Sequence, residues 1–112
     1  MLCPMSGPAA DDFLRHAGAC LGQLVKTLDT FDPDELEADL AGGVLRIAFP
    51  DGRICILNQQ AAASQIWLAE GASAWHFVRG LDGQWTDTKG RGTLPSILSD
   101  VLSRRLGRPV RI

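Results

Sequence analysis

LEADLAGGVLRIAFPDGRICILN, residues 36–58, is the stretch where the chain changes from a helical to an extended period. Leu36, Ala38 and Leu40 alternate with Glu37 and Asp39, so a strand here sends its apolar set to one face and both carboxylates to the other. Gly42-Gly43 supplies a two-residue hairpin turn, after which Leu45, Ile47 and Phe49 alternate with Val44, Arg46 and Ala48. Pro50-Asp51-Gly52 is turn chemistry that leads into a third strand over residues 53–58. The stretch predicts a β-meander with one apolar face.

Outward from it, Gln65 to Ala69 and Trp75 to Arg79 read as two more strands, and Asp82-Gly83 turns the chain into a short sixth around Gln84 to Asp87. Helical spacing brackets this run. Phe13, Ala17, Leu21, Leu24, Leu28 and Phe31 form the stripe of an amphipathic helix over residues 11–30, with Asp11 or Asp12 able to cap its start and Asp32-Pro33 ending it. Leu94, Ile97, Leu98, Val101 and Leu102 form a second such face, with Thr93 as N-cap and Gly107 as the stop. Helix, strands, helix is the order of an α+β domain: a two-layer α–β sandwich with two terminal helices on one face of an antiparallel sheet of five to six strands. A disordered leader is expected at residues 1–10 and one domain at 11–112. If Ile66 and Leu68 point under the helices, Trp67 leaves the open face with Gln65 beside it, and His76 shares that face if Trp75 and Phe77 point inward. An exposed indole on a flat polar surface is a common anchor for a protein partner.

The 112 residues, 46% hydrophobic, suffice for one modest core. No apolar stretch approaches the roughly 20 residues of a membrane-spanning helix, and the first ten residues lack the pattern of an export signal. Cys3, Cys20 and Cys55 are odd in number and widely separated, which supports neither a disulfide framework nor a thiolate zinc site and fits a reducing cytoplasm. The net charge of −2 conceals a separation along the chain. Residues 29–39 hold six acids and no base, whereas five acids face nine bases after them. Such segregation sets up a local field that concentrates cations or a basic partner.

Asn58-Gln59-Gln60 followed by Gln65-Ile66-Trp67-Leu68-Ala69 resembles the frataxins, whose central strands carry N-x-Q and then Q-[IV]-W-[LI]. Gly42-Gly43-Val44-Leu45, Asp51-Gly52, Trp75-His76-Phe77, Asp82-Gly83-Gln84-Trp85 and Asp87 fall in the same family order, so the resemblance covers residues 11–112. It implies a planar α–β sandwich and a role in iron–sulfur cluster assembly, as regulator of the cysteine desulfurase or as iron donor. It also implies an acidic ridge made here by Asp29, Asp32, Asp34, Glu35, Glu37 and Asp39. Carboxylate oxygens are hard ligands that suit Fe(III) and accept Fe(II), and iron is expected to bind weakly, with water completing its shell. The implied partners are the cysteine desulfurase and the cluster scaffold, met through Trp67, Asn58, Gln60, Gln65 and His76; the chain is expected to be a monomer, with iron-dependent oligomers as an alternative. Lys26 and Thr30 stand where the family ridge is often acidic, which lowers the expected iron capacity.

Other classes find less support in the residues. His16 and His76 lie on different elements without metal-ligand spacing, no serine has a base partner, and neither glycine-rich turn is a phosphate loop, so no enzyme is expected. Arg104, Arg105, Arg108 and Arg111 raise a nucleic-acid-binding module as an alternative, which the overall acidity opposes. A further alternative is an acidic protein-interaction module with no physiological metal.

Overall fold

The computed structural model describes residues 8–112. Its elements run α1 (Pro8–Leu28), β1 (Glu37–Ala41), β2 (Val44–Ala48), β3 (Ile54–Gln60), a single 3-10 turn (Ala61–Ala63), β4 (Gln65–Glu70), β5 (Ser73–Arg79), β6 (Trp85–Asp87) and α2 (Leu94–Leu106). The six strands form one antiparallel sheet in sequence order, which is the meander that the alternation predicts. One face is covered. Phe13, Ala17, Leu21, Leu24 and Leu28 of α1 and Leu94, Ile97, Leu98, Val101 and Leu102 of α2 are buried against Leu45, Ile47, Cys55, Leu57, Ile66, Leu68 and Phe77.

Strand ends shift by one or two residues, and both ends of the first helix differ from expectation. The first helix begins at Pro8 instead of residue 11 and ends at Leu28 instead of residue 30. Proline suits a first helical position, where its missing N–H costs no intrahelical bond. Asp12 therefore sits inside the helix, where it accepts from Arg15 and lies 3.3 Å from His16 Nε2. Of the expected disordered leader, residues 8–10 are helical and residues 1–7 lie outside the described residues. At the other end of the helix, Asp29 N still reaches Val25 O, and 3-10-type bonds from Thr30 to Thr27 and from Phe31 to Leu28 tighten the exit before proline.

The hairpin between β1 and β2 depends on Gly42 and Gly43, with φ of 59° and 78°, and its register closes at Ala41 opposite Val44. Positive φ at both central residues is the requirement of a tight two-residue turn. A β-carbon at Gly43 would also stand 2.8 Å from Gln59 Oε1, a flexible end that can move aside. Gly43→Ala is expected to lower stability by about 1 kcal/mol, mainly through the left-handed backbone, as measured by urea unfolding.

Helix α2 is capped as its sequence predicts: Thr93 Oγ1 accepts from Ser96 N, and Gly107 adopts φ 69° with its N–H on Ser103 O. Beyond the cap the tail lies back along the helix. Ser103 Oγ accepts from Val110 N at 2.8 Å and Ser99 Oγ accepts from Ile112 N at 3.1 Å.

Candidate functional site

The face of the sheet opposite the helices is built by strand parity. Ile66 and Leu68 are fully buried, so Trp67 projects to the other side, and Trp75 and Phe77 send His76 there by the same rule. Register joins these positions. Asn58 pairs with Trp67, Trp67 with His76, and Gln60 with Gln65, so the five residues form one patch across β3, β4 and β5. The indole and imidazole stack with centroids 4.2 Å apart and planes 11° from parallel. Trp67 Nε1 donates to Gln65 Oε1 at 2.7 Å, and Gln60 Nε2 donates to Asn58 Oδ1 at 3.4 Å. Trp67 leaves the open face as expected but is half-buried there, where a fully exposed indole was expected.

Two residues that the pattern reading passed over belong to the same face. Val44 lies opposite Asn58, and Ile56 lies two residues before Asn58; they remain 38% and 36% exposed. Alternation placed both outside, but apolar residues there drew no notice because an isolated exposed valine or isoleucine is ordinary. They flank Asn58, the cross-strand partner of Trp67, and add apolar surface beside it.

The next row of the sheet runs Asp39, Arg46, Ile56, Ala69, Ala74 through successive cross-strand pairs. The acidic strand and the tryptophan patch are therefore parts of one surface.

The six ridge acids do not act alike. Asp29, Glu37 and Asp39 border a groove of about 360 Å³ floored by Leu28, Phe31, Pro33 and Leu36, with Arg46 on its rim. Asp34 and Glu35 border a second groove with Phe49, Pro50 and Arg105. Asp32 is engaged locally: its Oδ1 accepts from Asp34 N at 2.9 Å. Glu35 takes both bonds of the Arg108 guanidinium, at 2.7 and 2.9 Å, which holds its carboxyl below the usual range. The reading of six acids without a cation among them is corrected here. Arg46, across the sheet from Asp39, and Arg108, from beyond α2, both enter the ridge because folding joins segments that sequence order keeps apart.

Among the described residues, no three histidine, cysteine, aspartate or glutamate side chains converge as they stand on a point that could hold one ion. Exposed hard oxygens fit a hydrated iron ion held at the surface and do not make a cage. The described cysteines are unsuited to soft ligation, since burial pushes the thiols of Cys20 and Cys55 up to about 11 and 12. The basic C-terminal region is largely engaged within the molecule: Arg105 pairs with Glu70, Arg108 with Glu35, and Arg104 Nε donates to Asp100 O.

A family model described as the frataxin-like domain matches residues 8–108. The chain belongs to the frataxin family. It is 34% identical over 101 residues to the iron-sulfur cluster assembly protein CyaY of Paraburkholderia phymatum, covering 90% of this chain and 94% of that relative. The fold matches frataxin from Psychromonas ingrahamii with a TM-score of 0.81 at 20% identity, over 90% of this chain and 94% of that one. Trimeric frataxin from the yeast Saccharomyces cerevisiae, in complex with ferrous iron, matches with a TM-score of 0.59 at 25% identity, over 96% and 94% of the two chains. Two helices on a six-stranded antiparallel sheet are thus the frataxin sandwich in this chain as well. No described helix is long and apolar enough to cross a membrane.

Proposed function

We propose that this frataxin acts in iron–sulfur cluster assembly by binding iron weakly at its ridge carboxylates and docking on the cysteine desulfurase and cluster scaffold. The observation that carries the reading is the joined surface: the cross-strand row of Asp39, Arg46 and Ile56 lies beside the row of Val44, Asn58, Trp67 and His76 on the same face of the sheet. The close, nearly full-length relative named for iron-sulfur cluster assembly supports the process, and the yeast neighbour complexed with ferrous iron supports the cargo. Asp29, Asp34, Glu37 and Asp39 offer exposed oxygens to the ion, Asp32 keeps its second oxygen, and Glu35 is paired with Arg108. Asn58, Gln60, Gln65, Trp67 and His76 supply a flat polar and aromatic contact for a protein. The chain's role is binding, with no catalytic step of its own, in the reducing cytoplasm where Cys20 and Cys55 stay free.

Changing Glu37 to Gln together with Asp39 to Asn removes two charges from the outer face of β1 and leaves the inward Leu36 untouched. Ferrous affinity is expected to fall roughly three- to tenfold, because hard cations lose anionic ligands at a solvent-screened site. Desulfurase affinity is expected to fall with it and to depend less on ionic strength. Anaerobic calorimetric titration with ferrous iron, beside desulfurase binding at two salt concentrations, measures both.

A second reading is favoured by the lack of convergence among the carboxylates: an acidic docking module without physiological metal. Under that reading the double variant loses desulfurase affinity while its iron affinity stays that of the parent. Equal values for both ligands before and after substitution would reduce the ridge to a solvated surface.

A further inference from the structure

The acidic stretch and the arginine-rich end of the chain are far apart in sequence and meet in the fold. Arg108 follows the Gly107 cap of α2 and seats Nε and Nη2 on the two oxygens of Glu35, at 2.7 and 2.9 Å. Its guanidinium also lies 5.7 Å from the centre of the Phe31 ring. A planar fork on both carboxylate oxygens, stacked over an aromatic face, is a directed contact and more than a loose meeting of surface charges. The segment bearing Arg108 is held from both sides, by the helix before it and by the bond from Val110 N to Ser103 Oγ after it. Asp29, Glu37 and Asp39 form no ion pair among the described residues, so Glu35 is in a different state from its neighbours.

We infer that Arg108 is an internal counter-ion of the ridge, which caps Glu35 and must be displaced before that carboxylate can serve a cationic ligand. The inference rests on the ridge reading proposed above and adds a control to it. A ligand that binds only at Asp29, Glu37 and Asp39 leaves the cap in place. One that recruits Glu35 has to break two charge-assisted bonds and the stack on Phe31, which sets the ridge at a lower affinity than its carboxylates alone would give.

The test is calorimetric titration with ferrous iron, under anaerobic conditions, of the parent, Arg108→Gln, Glu35→Gln and the double variant, with Glu37→Gln as reference. Arg108→Gln is expected to raise affinity about threefold, the scale of one solvent-screened charge, and to raise it by less than half that factor when Glu35 is already Gln. Arg108→Lys keeps the charge without the fork and should fall between the parent and Arg108→Gln. An equal gain in both backgrounds overturns the cap, because the arginine would then act only through its long-range field. Unchanged affinity in Arg108→Gln while Glu37→Gln weakens binding overturns the cap and leaves the ridge reading standing. If no variant alters affinity, the ridge reading fails and the cap fails with it. Circular dichroism melts of each variant check that the fold is retained, and Arg108→Lys provides the same comparison should Arg108→Gln melt early.

Discussion

Asp87→Ala is expected to destabilise the protein by about 3 kcal/mol, the largest loss from any single polar side chain in the domain. Asp87 ends β6 on the covered face of the sheet and its side chain is fully enclosed. Its two oxygens accept from Lys89 N, Arg91 N, Arg91 Nε and Arg91 Nη2, at 3.2, 3.1, 2.7 and 3.0 Å. The guanidinium extends the clasp by donating to Ala74 O at 3.1 Å and lying 5.5 Å from the centre of a Trp75 ring. Truncation leaves two backbone N–H groups and a guanidinium without their acceptor, in the loop that delivers the chain to α2. The same group gives an acid limb. The hydrogen-bonded Arg91 guanidinium, with smaller help from the Arg91 and Lys89 amides, lowers the Asp87 carboxyl from 3.8 to about 2. A depressed carboxylate contributes stability that is present above its unfolded value and lost as pH falls, so the window lies between about 4 and 2. At most about 2 kcal/mol is at stake there, because Arg91 remains 40% exposed and its field is screened by water. Asp87→Asn keeps one acceptor and the shape, and should unfold with less pH dependence across that window than the parent. Urea unfolding at a series of pH values reads both effects, and an unchanged acid limb in Asp87→Asn would assign the titration to other carboxylates.

The parts of this fold that were legible in sequence are those where one local period decides the outcome. Leu94, Ile97, Leu98, Val101 and Leu102 were readable as a buried face because helical spacing alone determines which side chains share a side, and all five are buried. Leu36, Leu45, Ile47, Ile66 and Leu68 were readable because a two-residue period sorts each strand into an inner and an outer set. Gly42-Gly43 carried its turn type in its composition. Pairings between distant segments were not legible. Nothing in the order of residues places Arg108 on Glu35, 73 positions away, or makes Arg46 the cross-strand neighbour of Asp39. The role of Asp87 was equally hidden: it fitted the family pattern, but a lone aspartate at a strand end reads as a solvated turn residue until its four donors are seen. The start of α1 was missed for a related reason, since Pro8 is a loop signal in isolation and a helix opener only when the following residues coil.

Trp67→Ala is expected to weaken binding to the cysteine desulfurase or the scaffold by about 2 kcal/mol, close to thirtyfold in Kd, while costing the fold about 1 kcal/mol. The two figures follow from different contacts. In the isolated protein the indole rests on His76 and donates to Gln65, a cross-strand aromatic pair with one hydrogen bond on an open face, and pairs of this kind contribute modestly to a sheet. The core beneath is untouched, because Ile66 and Leu68 point the other way and stay fully buried. Against a partner, the same ring is held in place before binding by His76 and Gln65, so little side-chain freedom remains to be lost on docking. Val44 and Ile56 extend its apolar area toward β2, and Asn58 and Gln60 supply hydrogen-bonding groups beside it. Trp67→Phe separates the contributions: it keeps an aromatic face for His76 and gives up the Nε1 donor to Gln65. Its affinity should lie between those of the parent and the alanine variant. His76→Ala should reduce partner affinity by a smaller factor than Trp67→Ala, because it removes the support and leaves the anchor. Urea unfolding of each variant, beside calorimetric titration with purified desulfurase and with scaffold, separates stability from binding. A loss of core size, 3 kcal/mol or more, with both partner affinities unchanged would mean that the stack serves the sheet and that the docking surface lies elsewhere.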